Sequence, residues 1–372
     1  MKRLVLLAAA GAALLPALAF AALPATDAVL KGAAFIKTVQ RPDGGYAEAP
    51  GQSIDAIIAV RAAGYDPRLD VQNGKTPADW LIAYARAVTS PAAAAKAALG
   101  AKALGLDPKN VGGTNLIAVA QAGYNAETGA YADNAFSQSV AILGLACTGN
   151  QPGAKAADNL KAAAVQGGGW GFGGFADPDT TAIAIQALLA AGVPKTDEAI
   201  SKGLAWLKAN QGRDGGWGYD PAESNTSSTA FAVQALLALG ENPESAAYTK
   251  NGVNPVQYLL SQQLPDGSFA GYDPAFAANQ VVPALAGRTY CNAPETPITR
   301  TRPAAQPTPT PQPTTPAASP TARPTTPAPR PPATGDSAGP ASPAGGEGAL
   351  ALAGLALLAA GGAAAARARR RS

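Results

Sequence analysis

The sequence predicts an all-α fold, an α6/α6 toroid in which six helical hairpins close into a ring. Three observations predict it: a motif that recurs along most of the chain, an even spacing of Ala/Leu-rich runs, and the alternation of two kinds of helix.

The motif is a Gln, a Gly-rich turn and an aromatic. It stands at Gln40-Arg-Pro-Asp-Gly-Gly-Tyr46, Gln166-Gly-Gly-Gly-Trp-Gly-Phe172, Gln211-Gly-Arg-Asp-Gly-Gly-Trp217 and Gln263-Leu-Pro-Asp-Gly-Ser-Phe269. A weaker copy, Asn125-Ala-Glu-Thr-Gly-Ala-Tyr131, lacks the Gln. Each turn is followed by a short polar stretch and an Ala/Leu-rich run. The runs begin near Ser53, Pro91, Asn134, Asp179, Thr226 and Pro274, spaced by 38, 43, 45, 47 and 48 residues. Between them lie more polar helical segments, at about 28–40, 77–87, 113–122, 155–165, 196–210 and 254–263, bounded by Gly, Pro, Asn and Asp.

The two helix types have different places. Thr181–Ala191 is apolar nearly all round and must be buried, whereas Ile200–Asn210 is amphipathic, with lysines on one side, and belongs at a surface. Their alternation gives an inner ring of parallel helices wrapped by an outer, antiparallel one. An open solenoid of the same hairpins is the other arrangement; six units without a polar capping repeat favour closure. An open end would expose an inner-helix face. At roughly 25 cal/mol per Å², several hundred Å² of exposed apolar surface costs on the order of 10 kcal/mol, as much as a domain's whole stability.

The ends read differently. Lys2 and Arg3 precede an apolar run from Leu4 to Ala19, and Ala19-Phe20-Ala21 is a small-x-small triplet. This predicts a signal peptide over 1–21, cut before Ala22. Residues 22–291 are assigned to the toroid and 292–347, rich in Pro, Thr and Ala, to a disordered stalk. Residues 348–366 carry no charge and precede arginines 367, 369, 370 and 371, which predicts a transmembrane anchor and a basic cytoplasmic tail over 367–372. The segment between the two ends then faces outward. Pro331-Pro-Ala-Thr-Gly-Asp336, with the apolar run and basic tail, resembles the cell-wall sorting signal cut by sortases, Pro331 standing where that signal has Leu.

Charge and composition exclude several functions. The formal net charge is +3, yet residues 22–295 hold 18 Lys/Arg against 23 Asp/Glu, a net of −5. No basic cluster is left there to attract nucleic acid. Histidine is absent, so the usual zinc sites, Ser-His-Asp triads and Cys-His pairs cannot be assembled, and no metal or cofactor is expected. The two cysteines, Cys147 and Cys291, either form one disulfide closing a long loop or, for Cys147, fill a small core position.

The Gln, Gly-rich turn and aromatic pattern resembles the repeats of squalene and hopene cyclases and the wider prenyltransferase and squalene-oxidase repeat family. The resemblance covers most of residues 27–290. It implies the terpenoid-cyclase-like toroid and a structural role for Gln40, Gln166, Gln211, Gln263, Trp170 and Trp217. Asp177-Pro-Asp-Thr-Thr-Ala182 is similar to the Asp-x-Asp-Asp-Thr-Ala box with which class II terpene cyclases protonate an alkene. The resemblance implies Asp179 as the acid and Asp177 as its partner, with Thr180 in place of the third Asp. Carboxylates crowded together and hydrogen-bonded are how such an acid is prepared. The inner helices offer few aromatic walls for carbocations, Phe136 and Phe231 being the exceptions. The same residues also read as helix caps: Ser53 with Asp55, Asp177 with Asp179, and Asn225 with Thr226. Zinc prenyltransferases are excluded by the missing His and thioester proteins by the missing Gly-Cys-Gly-Glu-Gln box. Cobalamin carriers share an Asp-Thr helix start and bind without catalysis.

Parallel inner helices place their N-termini at one mouth, where free N–H groups and helix dipoles converge. The turn aromatics belong to loops on that side. Asp55, Asp179, Thr180, Trp170, Trp217, Tyr219 and Tyr272 are therefore the candidate ligand-binding residues, and Asp177 and Asp179 the candidate catalytic ones. The expected function is an exported, surface-anchored, noncatalytic recognition module. Its partners would be a small molecule, glycan or peptide, and the membrane through the C-terminal helix. A terpene-cyclase-like enzyme with Asp179 as general acid is the rival, and a ligand-free spacer a third reading.

Overall fold

The computed structural model describes residues 26–301. The predicted signal peptide, the sorting-like motif, the membrane segment and the basic tail lie outside them. Among the described residues are twelve α-helices: α1 (Thr26–Thr38), α2 (Pro50–Ala62), α3 (Pro77–Ala85), α4 (Pro91–Ala103), α5 (Leu116–Ala122), α6 (Ala135–Ala146), α7 (Ala156–Ala162), α8 (Pro178–Ala190), α9 (Glu198–Ala209), α10 (Thr226–Leu239), α11 (Pro255–Ser261) and α12 (Pro274–Leu285). Two small antiparallel hairpins precede α8 and α10: β1 (Gly171–Phe172) with β2 (Phe175–Ala176), and β3 (Trp217–Asp220) with β4 (Glu223–Asn225). No helix among the described residues is long and apolar enough to cross a membrane.

The even-numbered helices are the apolar ones. α4 and α8 bury all but a few of their residues, whereas α9 buries one face only, Ile200, Gly203 and Leu207. Each even-numbered helix packs on two others, in the order α2, α4, α6, α8, α10, α12 and back to α2. The odd-numbered helices lie outside them. Small residues let the inner helices approach closely: at Gly144 of α6, a Cβ would stand 2.2 Å from the carbonyl oxygen of Ala95 in α4.

Among the described residues a Gln ties four of the six hairpins to the next. Gln211 Nε2 donates to Gly215 O in its own turn (2.8 Å) and to Tyr248 O ahead of α11 (2.7 Å). Gln40 does the same with Gly44 O and Asp70 O, and Gln263 with Gly267 O and Ala28 O. The weak copy that lacks a Gln takes one from its inner helix: Gln138 Nε2 donates to Gly129 O (3.0 Å) and Ala156 O (3.2 Å). The aromatic is buried beneath the turn. Trp170 Nε1 donates to Leu160 O (2.7 Å) and Trp217 Nε1 to Leu207 O (2.8 Å), so successive repeats use one geometry.

The first and last hairpins meet. Gln263 reaches Ala28 at 2.9 Å, Asn279 Nδ2 donates to Gln52 O at 3.3 Å, and Gln280 Nε2 to Asp55 Oδ2 at 3.1 Å. Gly267 has φ +89°, and a Cβ there would stand 2.6 Å from Lys31 O of α1. Gly267→Ala is therefore expected to cost about 3 kcal/mol through backbone strain and a forced shift of α1. Urea unfolding checks it, with Gly192→Ala, also at positive φ (+87°) but in open space, as the strain-only control.

The chain beyond 291, assigned from composition to the stalk, still belongs to the fold. A short 3-10 turn at Ala293–Glu295 packs on α2 and α4, Arg61 Nε donates to Thr296 O, and Thr299 N and Arg300 N donate to Gly64 O. Ala293 and Thr296 are buried there, which composition could not reveal.

Candidate functional site

Helix α8 starts with Asp177 as its N-cap. Asp177 Oδ1 accepts from Thr180 N (2.7 Å) and Oδ2 from the Thr180 hydroxyl (2.9 Å). Asp179, one residue into the helix, caps nothing. Its Oδ2 accepts from Tyr219 Oη at 3.2 Å, a residue that the β3–β4 hairpin of the following repeat swings across it. Its Oδ1 is buried without a hydrogen bond, as is the hydroxyl of Ser228 on α10. Ser228 nonetheless lies close enough to help stabilise the ionised carboxylate.

Burial governs this pair. It pushes the Asp177 carboxyl up to about 7, with the neighbouring charge of Asp179 adding to the rise and the Thr180 bonds opposing it. Burial likewise lifts Asp179 to about 6 against the opposing effect of Ser228 and Tyr219. Tyr219 is pushed up by the same burial and by both carboxylates, so it stays a donor. Both carboxyls are thus held above the ordinary carboxylate range, and their protons belong to the pair jointly.

The sign of the pH effect follows. An acid whose folded pKa lies above its ordinary 3.8 penalises folding once it must ionise. The contribution is fully present below about pH 4 and is lost as pH rises through 6 to 7. Stability at pH 8 should therefore fall below that at pH 5 by about 3 kcal/mol from this pair. Urea titrations of wild type and Asp177→Asn check it, the variant losing most of the slope.

Asp55 is not at the helix start. α2 begins at Pro50, three residues ahead of Ser53, so Ser53 takes another role: its hydroxyl accepts from Tyr46 N and Ala47 N (both 2.9 Å). Thr181 and Thr229 receive the Trp170 and Trp217 N–H groups in the same way. That register sets Asp55 a turn deeper, in the bore. There its Oδ2 meets Lys96 Nζ of α4 at 2.7 Å, both side chains 3% exposed, and accepts from Gln280.

Tyr290, from the segment after α12, completes this interior. Its hydroxyl reaches Asp55 Oδ1 (3.3 Å), its N–H the Gln186 side chain of α8 (3.3 Å), and its ring stacks on Phe231 of α10, which meets Phe136 of α6 edge-on. Tyr290 thus touches α2, α8 and α10 at once. The next residue, Cys291, is disulfide-bonded to Cys147 at the end of α6, which pins the plug from below.

The other candidates separate by exposure. Thr180, Trp170 and Trp217 are wholly enclosed, and Tyr46, Tyr131 and Phe269 with them, so these aromatics form the wall and leave the rim. Tyr219 is half-buried and Tyr272 is 79% exposed. Sequence reasoning missed Phe175, 80% exposed at the β1–β2 tip, because it follows two glycines outside the motif. Phe175, Tyr219 and Tyr272 stand in the three consecutive loops that lead into α8, α10 and α12. Among the described residues no three His, Cys, Asp or Glu side chains converge as metal ligands.

The helical hairpins and the paired carboxylates at the start of α8 invite comparison with one class, the terpenoid-cyclase-like helical-hairpin proteins. Within it, residues 138–280 match the family model of the squalene-hopene cyclase C-terminal domain. The squalene–hopene cyclase of Zymomonas mobilis is 40% identical over 96 residues, 23% of this chain and 14% of that enzyme. The dammaradiene synthase of Dryopteris crassirhizoma is 38% identical over 94 residues, 20% of this chain and 14% of that protein. The chain therefore matches only about one seventh of the length of these relatives. A type II terpene cyclase from Scytonema, solved with geranylgeranyl dihydroxybenzoate, shares the fold with a TM-score of 0.53 at 15% identity, over 73% of this chain and 99% of that one. These findings support the terpenoid-cyclase-like family.

Proposed function

We propose that this chain is a noncatalytic recognition module, a closed α6/α6 ring exported and held at the cell surface by its C-terminal segment. The observation that carries the reading is Tyr290: the bore, where an apolar substrate would have to lie, holds a side chain of the protein itself, pinned by the Cys147–Cys291 disulfide. Binding then falls to the mouth, where Phe175, Tyr219 and Tyr272 offer aromatic faces beside the acidic helix start. Exposed aromatics on neighbouring loops suit the flat apolar face of a sugar, a peptide side chain or a small ring compound. The test is an array of glycans, peptides and small ligands probed with the full chain. Hits should weaken about tenfold or more in Phe175→Ala and Tyr272→Ala, each losing a packed aromatic face. Hits indifferent to both substitutions would remove the site.

A second reading rests on one feature of Asp179. A buried, proton-holding carboxyl with an unpartnered oxygen fits a general acid toward an alkene, and the size of the chain does not oppose it, since the Scytonema cyclase is matched over 99% of its length. In that case Asp179 donates the proton, Asp177 shares the charge and Tyr219 orients the carboxyl.

A further inference from the structure

At the end of the ring away from the mouth, a cavity of about 190 Å³ lies between the C-terminal ends of α2 and α12, the start of α1 and the segment 296–300. Arg288, Arg300, Thr296, Thr299 and Thr26 supply its polar lining and Val29 part of its apolar wall. No Asp or Glu lines it, and among the described residues neither arginine is in an ion pair.

Two further observations point to a missing acceptor. Arg288 Nε is buried without a hydrogen bond, and so is the hydroxyl of Thr296, a side chain only 5% exposed. A buried donor left unmade is costly, and native structures leave few of them. Attraction of the arginines to the C-terminal dipoles of α2 and α12 accounts for their charge, but it leaves both of these donors unmade. One anionic group between Arg288, Arg300 and Thr296 would satisfy them together, with the N-terminal dipole of α1 adding to its field. We propose that this cavity is a binding site for a small anion, the phosphate or carboxylate head of a compound whose short apolar part rests on Val29. A cavity of this size has room for the head and a short apolar part smaller than benzene, which alone fills a cavity of about 150 Å³.

The experiment uses the full chain at fixed ionic strength, titrated calorimetrically with inorganic phosphate and, in a parallel arm, with acetate. Saturable binding of at least one anion is expected, and the preferred arm names the head group. Arg288→Gln should weaken it about tenfold, the loss of one charge-assisted bond, and Thr296→Val by a smaller factor. Lys195→Gln, outside the cavity's lining, should leave it unchanged and so exclude general charge effects. If Arg288→Gln does not fold by circular dichroism, the exposed Arg300→Gln carries the same comparison. Absence of saturable binding of both anions to the wild type, or equal affinity in the arginine variants, would overturn the proposal.

Discussion

Cys291→Ser is expected to destabilise the folded part by about 5 kcal/mol at most, because the Cys147–Cys291 bridge closes a loop across a sequence separation of 144 residues. Removing the cross-link returns that loop entropy to the unfolded chain. The structural consequence is as specific as the energetic one. Tyr290 loses its tether, so the stack on Phe231 and the contact with Asp55 should loosen first. Hydrogen exchange is the measurement: the amide of Tyr290, which donates to Gln186, should lose protection before the amides of the inner helices do. A chain whose unfolding midpoint is the same with and without reductant would contradict this account of the plug.

Lys96→Met should cost about 3–5 kcal/mol, since it strands Asp55 as a buried charge. The pair sits at 2.7 Å with both side chains 3% exposed, so water cannot take the lysine's place without loosening the helices around it. Gln280 and Tyr290 remain as donors to Asp55 and will soften the loss without replacing the countercharge. Combining Lys96→Met with Asp55→Leu removes both charges and should recover most of the stability, because apolar replacement of a whole buried pair is often neutral or better. Chemical denaturation of the two single variants and the double variant forms the cycle. Additive losses would show that the two side chains do not act as a pair.

Most of the architecture was legible in the sequence because it is written several times. The Gln and glycine positions recur, and a residue needed at several hairpins leaves a periodic trace: Gln40, Gln211 and Gln263 each bridge their own turn and the next hairpin. Where the pattern lapsed at Asn125, the structure supplies the same amide from Gln138, which stands seven residues after Tyr131 as Ser53 stands seven after Tyr46. That correspondence is visible in hindsight, but a Gln on an apolar helix carries no mark of what it faces.

The site was less legible, for reasons of register and distance. Asp55 looked like a cap because an acid near a helix start is common, and the true start at Pro50 moved it into the bore. Lys96 lies in a nearly continuous alanine run, where nothing local tells a buried ion pair from a solvated lysine. Tyr290 depends on a contact with Asp55 235 residues away, which no local pattern records. The acid box was found because both of its carboxyls lie within one helical turn. That Asp179 bonds Tyr219 of the next repeat, and caps nothing, needed the fold.

The most direct measurement of the central reading is a turnover assay. The full chain is incubated with squalene and with geranylgeranyl dihydroxybenzoate, and the extracts are separated chromatographically, since cyclisation alone leaves the mass unchanged. The account predicts that both compounds are recovered uncyclised, while ligands captured at the mouth still bind Asp179→Asn. A cyclised product formed by the wild type and absent from Asp179→Asn would contradict it and establish Asp179 as the proton donor.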